Sequence, residues 1–163
     1  MYGINFTKYD DFFTPKHVWE DIQHLIPKDK VIWDAFYGDG QSGKDMRDIG
    51  YKVIHEPNDF FKWQPEHYDI IVSNPPFSKK KEVFTHLKEL DKPFIMISPA
   101  PMICYKYFRE LFGNQQLKII IPKKRIQFIK YEDGKYNEQG RCNFDCFYYC
   151  YKIDLPLHIN YLT

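Results

Sequence analysis

Four consecutive residues, Asn74-Pro75-Pro76-Phe77, place an amide, a rigid pair of carbonyls and an aromatic ring side by side. They follow Tyr68-Asp69-Ile70-Ile71-Val72-Ser73, whose aliphatic run predicts a buried parallel strand. Neither proline can donate to a sheet ladder, and each fixes φ at about −65°. The chain must therefore leave the sheet at its carboxyl edge, where open α/β sheets place their ligands. The set is suited to holding a planar amino group and stacking on the ring that carries it.

A second constellation lies earlier in the chain. Asp34-Ala35-Phe36-Tyr37-Gly38-Asp39-Gly40-Gln41-Ser42-Gly43 joins a predicted strand to a predicted helix, and its glycines fit G-x-G-x-x-G. Glu56 stands where a ribose-binding acid is expected. The pattern by itself fits a dinucleotide site, an S-adenosylmethionine site or a tight turn. Gly38 and Gly40 would let the backbone approach a ligand, and the helix start would favour an anionic group such as a carboxylate. Asp34, ahead of the glycines, could meet a cationic amine, which a pyrophosphate site would not want. Asp59 and Phe60 could accept from the amino group of a purine and pack on its face.

These loops need a scaffold, and the remaining pattern supplies one. Spacing predicts a helix over 16–25, with Thr14 as its N-cap and Pro15 at the first helical position. Strands are expected over 31–35, 51–55, 69–73, 93–98 and 117–121, and helices over 43–49, 80–90 and 102–111, the first of these helices ended by Gly50 and the last capped by Gly113. Two further strands, 125–131 and 141–153, are joined by the polar stretch 132–140. Alternating strands and helices with a closing hairpin predict an α/β fold with a mostly parallel sheet and one reversed edge strand.

The bulk numbers narrow the field. A length of 163 residues predicts one domain, 1–163, with no room for a separate target-recognition domain. A formal net charge of +1 creates no global field for a polyanion. Charge is local instead: Lys79-Lys80-Lys81 follows the proline pair closely, and Lys123-Lys124-Arg125 forms a second basic run. No apolar stretch reaches membrane length and no leader pattern opens the chain, so an intracellular, soluble protein is expected. Cys142, Cys146 and Cys150 fall at even offsets on a predicted strand, which puts them on one face as buried, reduced thiols. The histidines show no metal-binding spacing, and no metal is expected.

Taken together, these motifs resemble class I S-adenosylmethionine-dependent N6-adenine methyltransferases. Phe13-Thr14-Pro15 is similar to that family's amino-terminal cofactor motif, and Asp34 to Gly40 is similar to its D-x-F-x-G-x-G loop, with Asp34, Phe36, Gly38 and Gly40 at the matching positions. Asp59-Phe60-Phe61 resembles its adenine-binding acid and aromatic, and Asn74-Pro75-Pro76-Phe77 its [DNS]-P-P-[YFW] tetrapeptide. The motif order is the one called gamma. The resemblance implies a Rossmann-like fold with a mostly parallel, seven-stranded-type sheet, a reversed C-terminal hairpin strand and helices on both faces. It implies S-adenosylmethionine as cofactor and nucleic acid as partner, DNA before RNA.

The same resemblance gives the tetrapeptide its chemistry. Asn74 and the Pro75 carbonyl accept the two N–H bonds of the adenine amine, Pro76 stiffens the turn, and Phe77 stacks on the extruded base. Lys79, Lys80 and Lys81 would steady the nucleic-acid backbone, with Lys124 and Arg125 as lesser candidates. The chain departs from the family in the two-residue gap between Glu56 and Asp59. Either Glu56 holds the ribose and the third strand is abridged, or one of the two acids is misassigned. Other readings stay open: an RNA adenosine enzyme, including the cap-adjacent type, a protein-glutamine methyltransferase, or a non-catalytic subunit of a partner or homodimer. By analogy, so small a methyltransferase would suit a phage or virus protecting its genome.

Overall fold

An unbroken aliphatic strand can be buried only when it has a strand on each side and a helix layer on each face. The computed structural model, which describes residues 12–113, 117–137 and 142–163, gives the 70–73 run that setting. In chain order the elements are β1 (Phe12–Phe13), α1 (Lys16–Glu20), β2 (Val31–Trp33), α2 (Gln41–Ile49), β3 (Lys52–Ile54), β4 (Ile70–Ser73) and α3 (Lys80–Leu90). They continue with β5 (Phe94–Pro99), α4 (Lys106–Phe112), β6 (Leu117–Ile121), β7 (Ile129–Glu132), β8 (Lys135–Asn137), β9 (Cys146–Tyr151) and β10 (Ile159–Tyr161). Among the described residues, seven strands form one sheet in the order β10-β6-β9-β5-β4-β2-β3, and β1, β7 and β8 form a second, small sheet. In the large sheet β9 runs antiparallel to both of its neighbours, and every other pairing is parallel.

Alternation along the strands sorts the core into two layers. Ile70, Val72, Ile95, Ile97, Tyr148 and Cys150 pack on one face with Val18, Trp19 and Met46 from α1 and α2. Ile71, Phe94, Met96 and Tyr149 pack on the other with Phe84, Leu87, Phe108 and Phe112 from α3 and α4. The α/β class, the mostly parallel sheet and the helices on both faces are thus as expected. Cys142, Cys146 and Cys150 lie in the same layer as free, buried thiols; even spacing accounts for Cys146 and Cys150 on β9, whereas Cys142 precedes that strand, which begins at Cys146 and not at 141.

Several local expectations are corrected. The helix over 16–25 stops at Glu20 and resumes as a 3-10 turn at Gln23–Leu25. Pro15 occupies the N-cap position, and the Thr14 hydroxyl makes no capping bond. A 3-10 turn at Ala100–Cys104 replaces the first part of the helix placed over 102–111. The reversed strand is not an edge: β9 inserts between β5 and β6, and β10 forms the edge beyond β6. Residues 125–128 are not strand, and the remainder of that run pairs as β7 with β1 and β8 instead of joining the large sheet. The stretch 138–141, with Arg141 at the expected strand start, lies outside the described residues. Between β3 and β4 the chain forms turns and no strand, so the third strand is abridged and β3 becomes the other edge.

Candidate active site

β2 and β4 are parallel neighbours, so their carboxyl ends open the same edge of the sheet. The loop after β2 and the Asn74-Pro75-Pro76 turn after β4 therefore face each other across a cleft of about 850 Å³. The small sheet closes a third side through Phe12, Phe13, Ile129 and Tyr136, and Asn58 to Phe61 close the far end.

In the glycine loop, Gly38 (φ +57°) and Gly40 (φ +85°) adopt left-handed backbone conformations that side chains disfavour. Gly43 is needed for a different reason. A Cβ there would lie 2.2 Å from Nδ1 of His55, so the imidazole occupies the space a side chain at this position would need. That close approach lets His55 reach inward, with Nε2 3.3 Å from the Asp34 carboxylate and 3.2 Å from the Phe36 carbonyl.

Asp34 is consequently not in the cleft wall. It is 1% exposed, and its two oxygens accept from the hydroxyls of Ser42 and Ser73, each at 2.5 Å. Burial pushes its carboxyl pKa up, against the opposing pull of His55 and the two serines. The Ser73 hydroxyl is also reached by the backbone N–H of Phe36 at 3.3 Å. One buried carboxylate thus ties the end of β2, the first turn of α2 and the end of β4 together. A direct contact between Asp34 and a ligand amine, expected from the sequence, would require breaking this network.

The proline turn carries the second group. Asn74 Nδ2 donates to the Thr14 hydroxyl at 3.0 Å, while Asn74 Oδ1 is buried and has no hydrogen-bond partner among the described residues. A buried acceptor left unpaired costs about 1–3 kcal/mol, so a donor supplied by a ligand would be rewarded there. Pro75 and Pro76 line the cleft beside it. Phe77 does not: it is 7% exposed and packs with Phe12, Phe128 and Phe144. Phe12, stacked on Phe77 with centroids 6.4 Å apart, is the ring of this cluster that reaches the cleft.

The remaining expected residues divide between the cleft and its surroundings. Phe13, Thr14, Phe36, Gly38, Asp59, Phe60 and Lys79 line the cleft, whereas Pro15, Gly40, Glu56, Lys80, Lys81, Lys124 and Arg125 do not. Glu56 accepts from the Asn58 side chain at 3.1 Å, which leaves Asp59 as the acid of this segment that faces the cleft. Arg125 is engaged by a two-pronged pair with Asp145, at 2.9 and 3.0 Å, and is not a free cation. The sequence reading missed Asp39, Asp45, Asn58 and Tyr136, all in the wall. Asp39 sits between the two loop glycines, a local signal, but the Tyr136 hydroxyl that donates to it at 3.0 Å comes from 97 positions away.

The sheet is Rossmann-like, and its cleft opens at the carboxyl ends of β2 and β4. The chain belongs to the family described as adenine-specific methyltransferase EcoRI, whose model matches residues 19–143. Similar solved structures include one described as a predicted O-methyltransferase, Atu636, from Agrobacterium tumefaciens, with 11% identity, a TM-score of 0.41 and coverage of 81% of this chain and 76% of that one. Another is TrmN from Thermus thermophilus, with 14% identity and a TM-score of 0.35, for which 83% of this chain spans 40% of the other. No curated protein matches the chain. Among the described residues no helix is long and apolar enough to cross a membrane.

Proposed function

We propose that this methyltransferase, acting as a single domain, transfers the methyl group of S-adenosylmethionine to the N6 amino group of adenine in DNA with low sequence specificity. The observation that carries the reading is the buried Oδ1 of Asn74, unpaired among the described residues and held at the cleft by Thr14. An exocyclic amine has two N–H bonds to give. Asn74 Oδ1 would take one and the Pro75 carbonyl the other, drawing the nitrogen toward tetrahedral geometry and localising its lone pair. The nitrogen forms its new bond with that lone pair and afterwards releases one proton to water, so no side-chain base is needed before attack.

The lining fits the cofactor. Asp39, Asp45 and Asp59 give the cleft an acidic character suited to a cation, while Phe36, Phe60 and Phe61 offer ring faces for an adenine. S-adenosylmethionine supplies a methyl group on a sulfonium, whose C–S bond breaks with its electron pair staying on sulfur. Gly38 and Asp39 would hold the amino-acid end, and Asp59 with Phe60 the nucleoside end. Much of the acceleration would come from keeping nitrogen and methyl in line. With Phe77 turned into the core, Phe12 would be the ring that stacks on the target base.

The test is transfer of labelled methyl to matched single-stranded DNA, duplex DNA, RNA and a glutamine peptide, followed by digestion to locate the label. N6-methyldeoxyadenosine is the expected product. Label confined to RNA or to glutamine would replace the proposed substrate, and cofactor binding without any transfer would point to a non-catalytic subunit.

A further inference from the structure

Beyond the cleft, on the side of β4 away from the glycine loop, lies a surface that no step above uses. In the sheet order β5-β4-β2, the segment after β5 borders the Asn74 turn as the glycine loop borders it from the other side. That segment is the 3-10 turn Ala100–Cys104 followed by Tyr105 at the cap of α4. It presents Ile103, 39% exposed, and Tyr105, 40% exposed. The Tyr105 ring meets the Tyr107 ring at 5.8 Å and carries the ammonium of Lys80 at 5.9 Å from its centroid. Lys81 is 6.0 Å from the Tyr107 ring.

The lysines link this surface to the cleft. Lys79 lines the cleft, and Lys80 donates to the Phe77 carbonyl at 3.1 Å, so one run of three cations reaches from the proline turn to the two tyrosine rings. Lys106, at the start of α4, adds a further exposed cation and pairs with Glu110 at 3.7 Å. Exposed rings interleaved with cations, and joined by the lysine run to the cleft, match what a single nucleic-acid strand needs. Lysines follow the phosphates, and a ring stacks on a base irrespective of its identity.

We propose that Tyr105, supported by Ile103 and Lys80, is a stacking platform for the nucleotide next to the target adenine in single-stranded nucleic acid. The inference rests on the reading of the cleft as an adenine site and adds the strand that delivers the adenine. In a duplex the neighbouring base is stacked within its own helix and cannot use the ring. The platform therefore selects unpaired strands, and it does so without reading sequence.

The experiment measures binding and transfer separately. Fluorescence anisotropy gives the affinity of wild type, Tyr105→Ala and Tyr105→Trp for a short single-stranded oligonucleotide with one adenine, and for the same oligonucleotide with an abasic site on each side of that adenine in turn. Stacking of about 1–3 kcal/mol per base corresponds to a loss of roughly 5- to 150-fold. A loss in that range is expected for Tyr105→Ala, with recovery in Tyr105→Trp. The gap between wild type and Tyr105→Ala should close on the oligonucleotide whose abasic site removes the stacked base. Cofactor affinity of each variant reports that the fold is intact. Equal oligonucleotide affinity of wild type and Tyr105→Ala, or a gap that survives both abasic positions, overturns the platform. Should no adenine be methylated while Tyr105→Ala still weakens binding, the platform stands and the proposed reaction falls.

Discussion

The amide of Asn74 donates to the hydroxyl of Thr14 across 60 positions of sequence, at 3.0 Å. The bond anchors the amide beside the cleft. With Nδ2 committed to Thr14, Oδ1 is left as the acceptor without a partner. Thr14 is 8% exposed, so water does not readily compete for its hydroxyl. A residue that the sequence suggests as a helix cap serves instead to orient the amide of the proline turn.

Replacing these two residues should therefore give different signatures. Asn74→Ala removes the acceptor and is expected to cut kcat by about 100-fold or more, the scale of losing one preorganised transition-state partner. Its cofactor affinity should stay within a few fold. Thr14→Val frees the amide to rotate, and a fall in kcat of about fivefold with a smaller change in KM is expected, one hydrogen bond being worth about 1 kcal/mol. Steady-state kinetics beside calorimetric cofactor binding separates the two. An Asn74→Ala variant that turns over normally would remove Asn74 from the reaction.

Asp34 is predicted to act on stability first and on cofactor binding second. Asp34→Ala strands His55 and Ser73 in the interior and leaves Ser42 without its acceptor at the cleft, and each buried polar group left unpaired costs about 1–3 kcal/mol. Asp34→Asn keeps the shape and one acceptor and should lose less. Denaturant unfolding with and without cofactor checks the order. Weakened cofactor binding at unchanged stability would mean that Asp34 contacts the ligand directly.

The hydroxyl of Tyr136 joins β8 to Asp39 of the glycine loop and bridges the mouth of the cleft. The bond also raises the phenol pKa, after burial as the larger cause. Tyr136→Phe keeps the ring against Phe13 and deletes the bond. The cofactor should then dissociate faster by a factor of about 2–5, as expected for a partly exposed hydrogen bond of about 0.5–1 kcal/mol. Stopped-flow release of the bound cofactor measures it, and an unchanged off-rate would show that the bridge opens freely.

Acid and alkaline stability should both pass through Asp91, the residue that ends α3 with φ +52°. Tyr151 donates to its carboxylate at 2.6 Å and Lys152 pairs with it at 3.0 Å, and these two hold its pKa below the ordinary value. The unfolded chain then binds the proton more readily than the folded one. The contribution is present above the unfolded carboxyl pKa of about 3.9 and is lost as pH falls through the lower folded value. The Tyr151 phenol is raised to about 12, first by its bond to Asp91, so its share is lost as pH climbs from about 10 toward that value. Asp91→Asn should have a lower Tm than the parent at neutral pH and should lose that deficit in acid. A Tm difference independent of pH would contradict the assignment.

What the sequence discloses and what it hides follow a physical divide. The strand at 70–73, the helix at 80–90 and the strand at 117–121 are encoded by local periodicity, and each falls within a residue of its expected bounds. The proline turn and the glycines are legible because backbone chemistry leaves them few alternatives. Directions of side chains are another matter. Phe77 turns inward because Phe12, Phe128 and Phe144, far off in sequence, form a pocket for it. Arg125 is spent on Asp145, 20 positions away. The place of β9 was equally hidden, since a buried strand carries no local mark of which neighbours it will separate.

That place governs how the molecule can come to exist. The described residues of the cleft run from Phe12 to Tyr136, yet among the described residues β5 and β6 do not pair with each other, and each pairs instead with β9, at Cys146–Tyr151. Until those residues are available, during synthesis or refolding, both strands present bare edges of the kind that recruit other chains. Pairings that span so much sequence make closure slow relative to helix formation. The interval in which the glycine loop and the proline turn exist without a finished sheet is the chain's most exposed moment, and a chaperone or an early-bound cofactor would be of most use then.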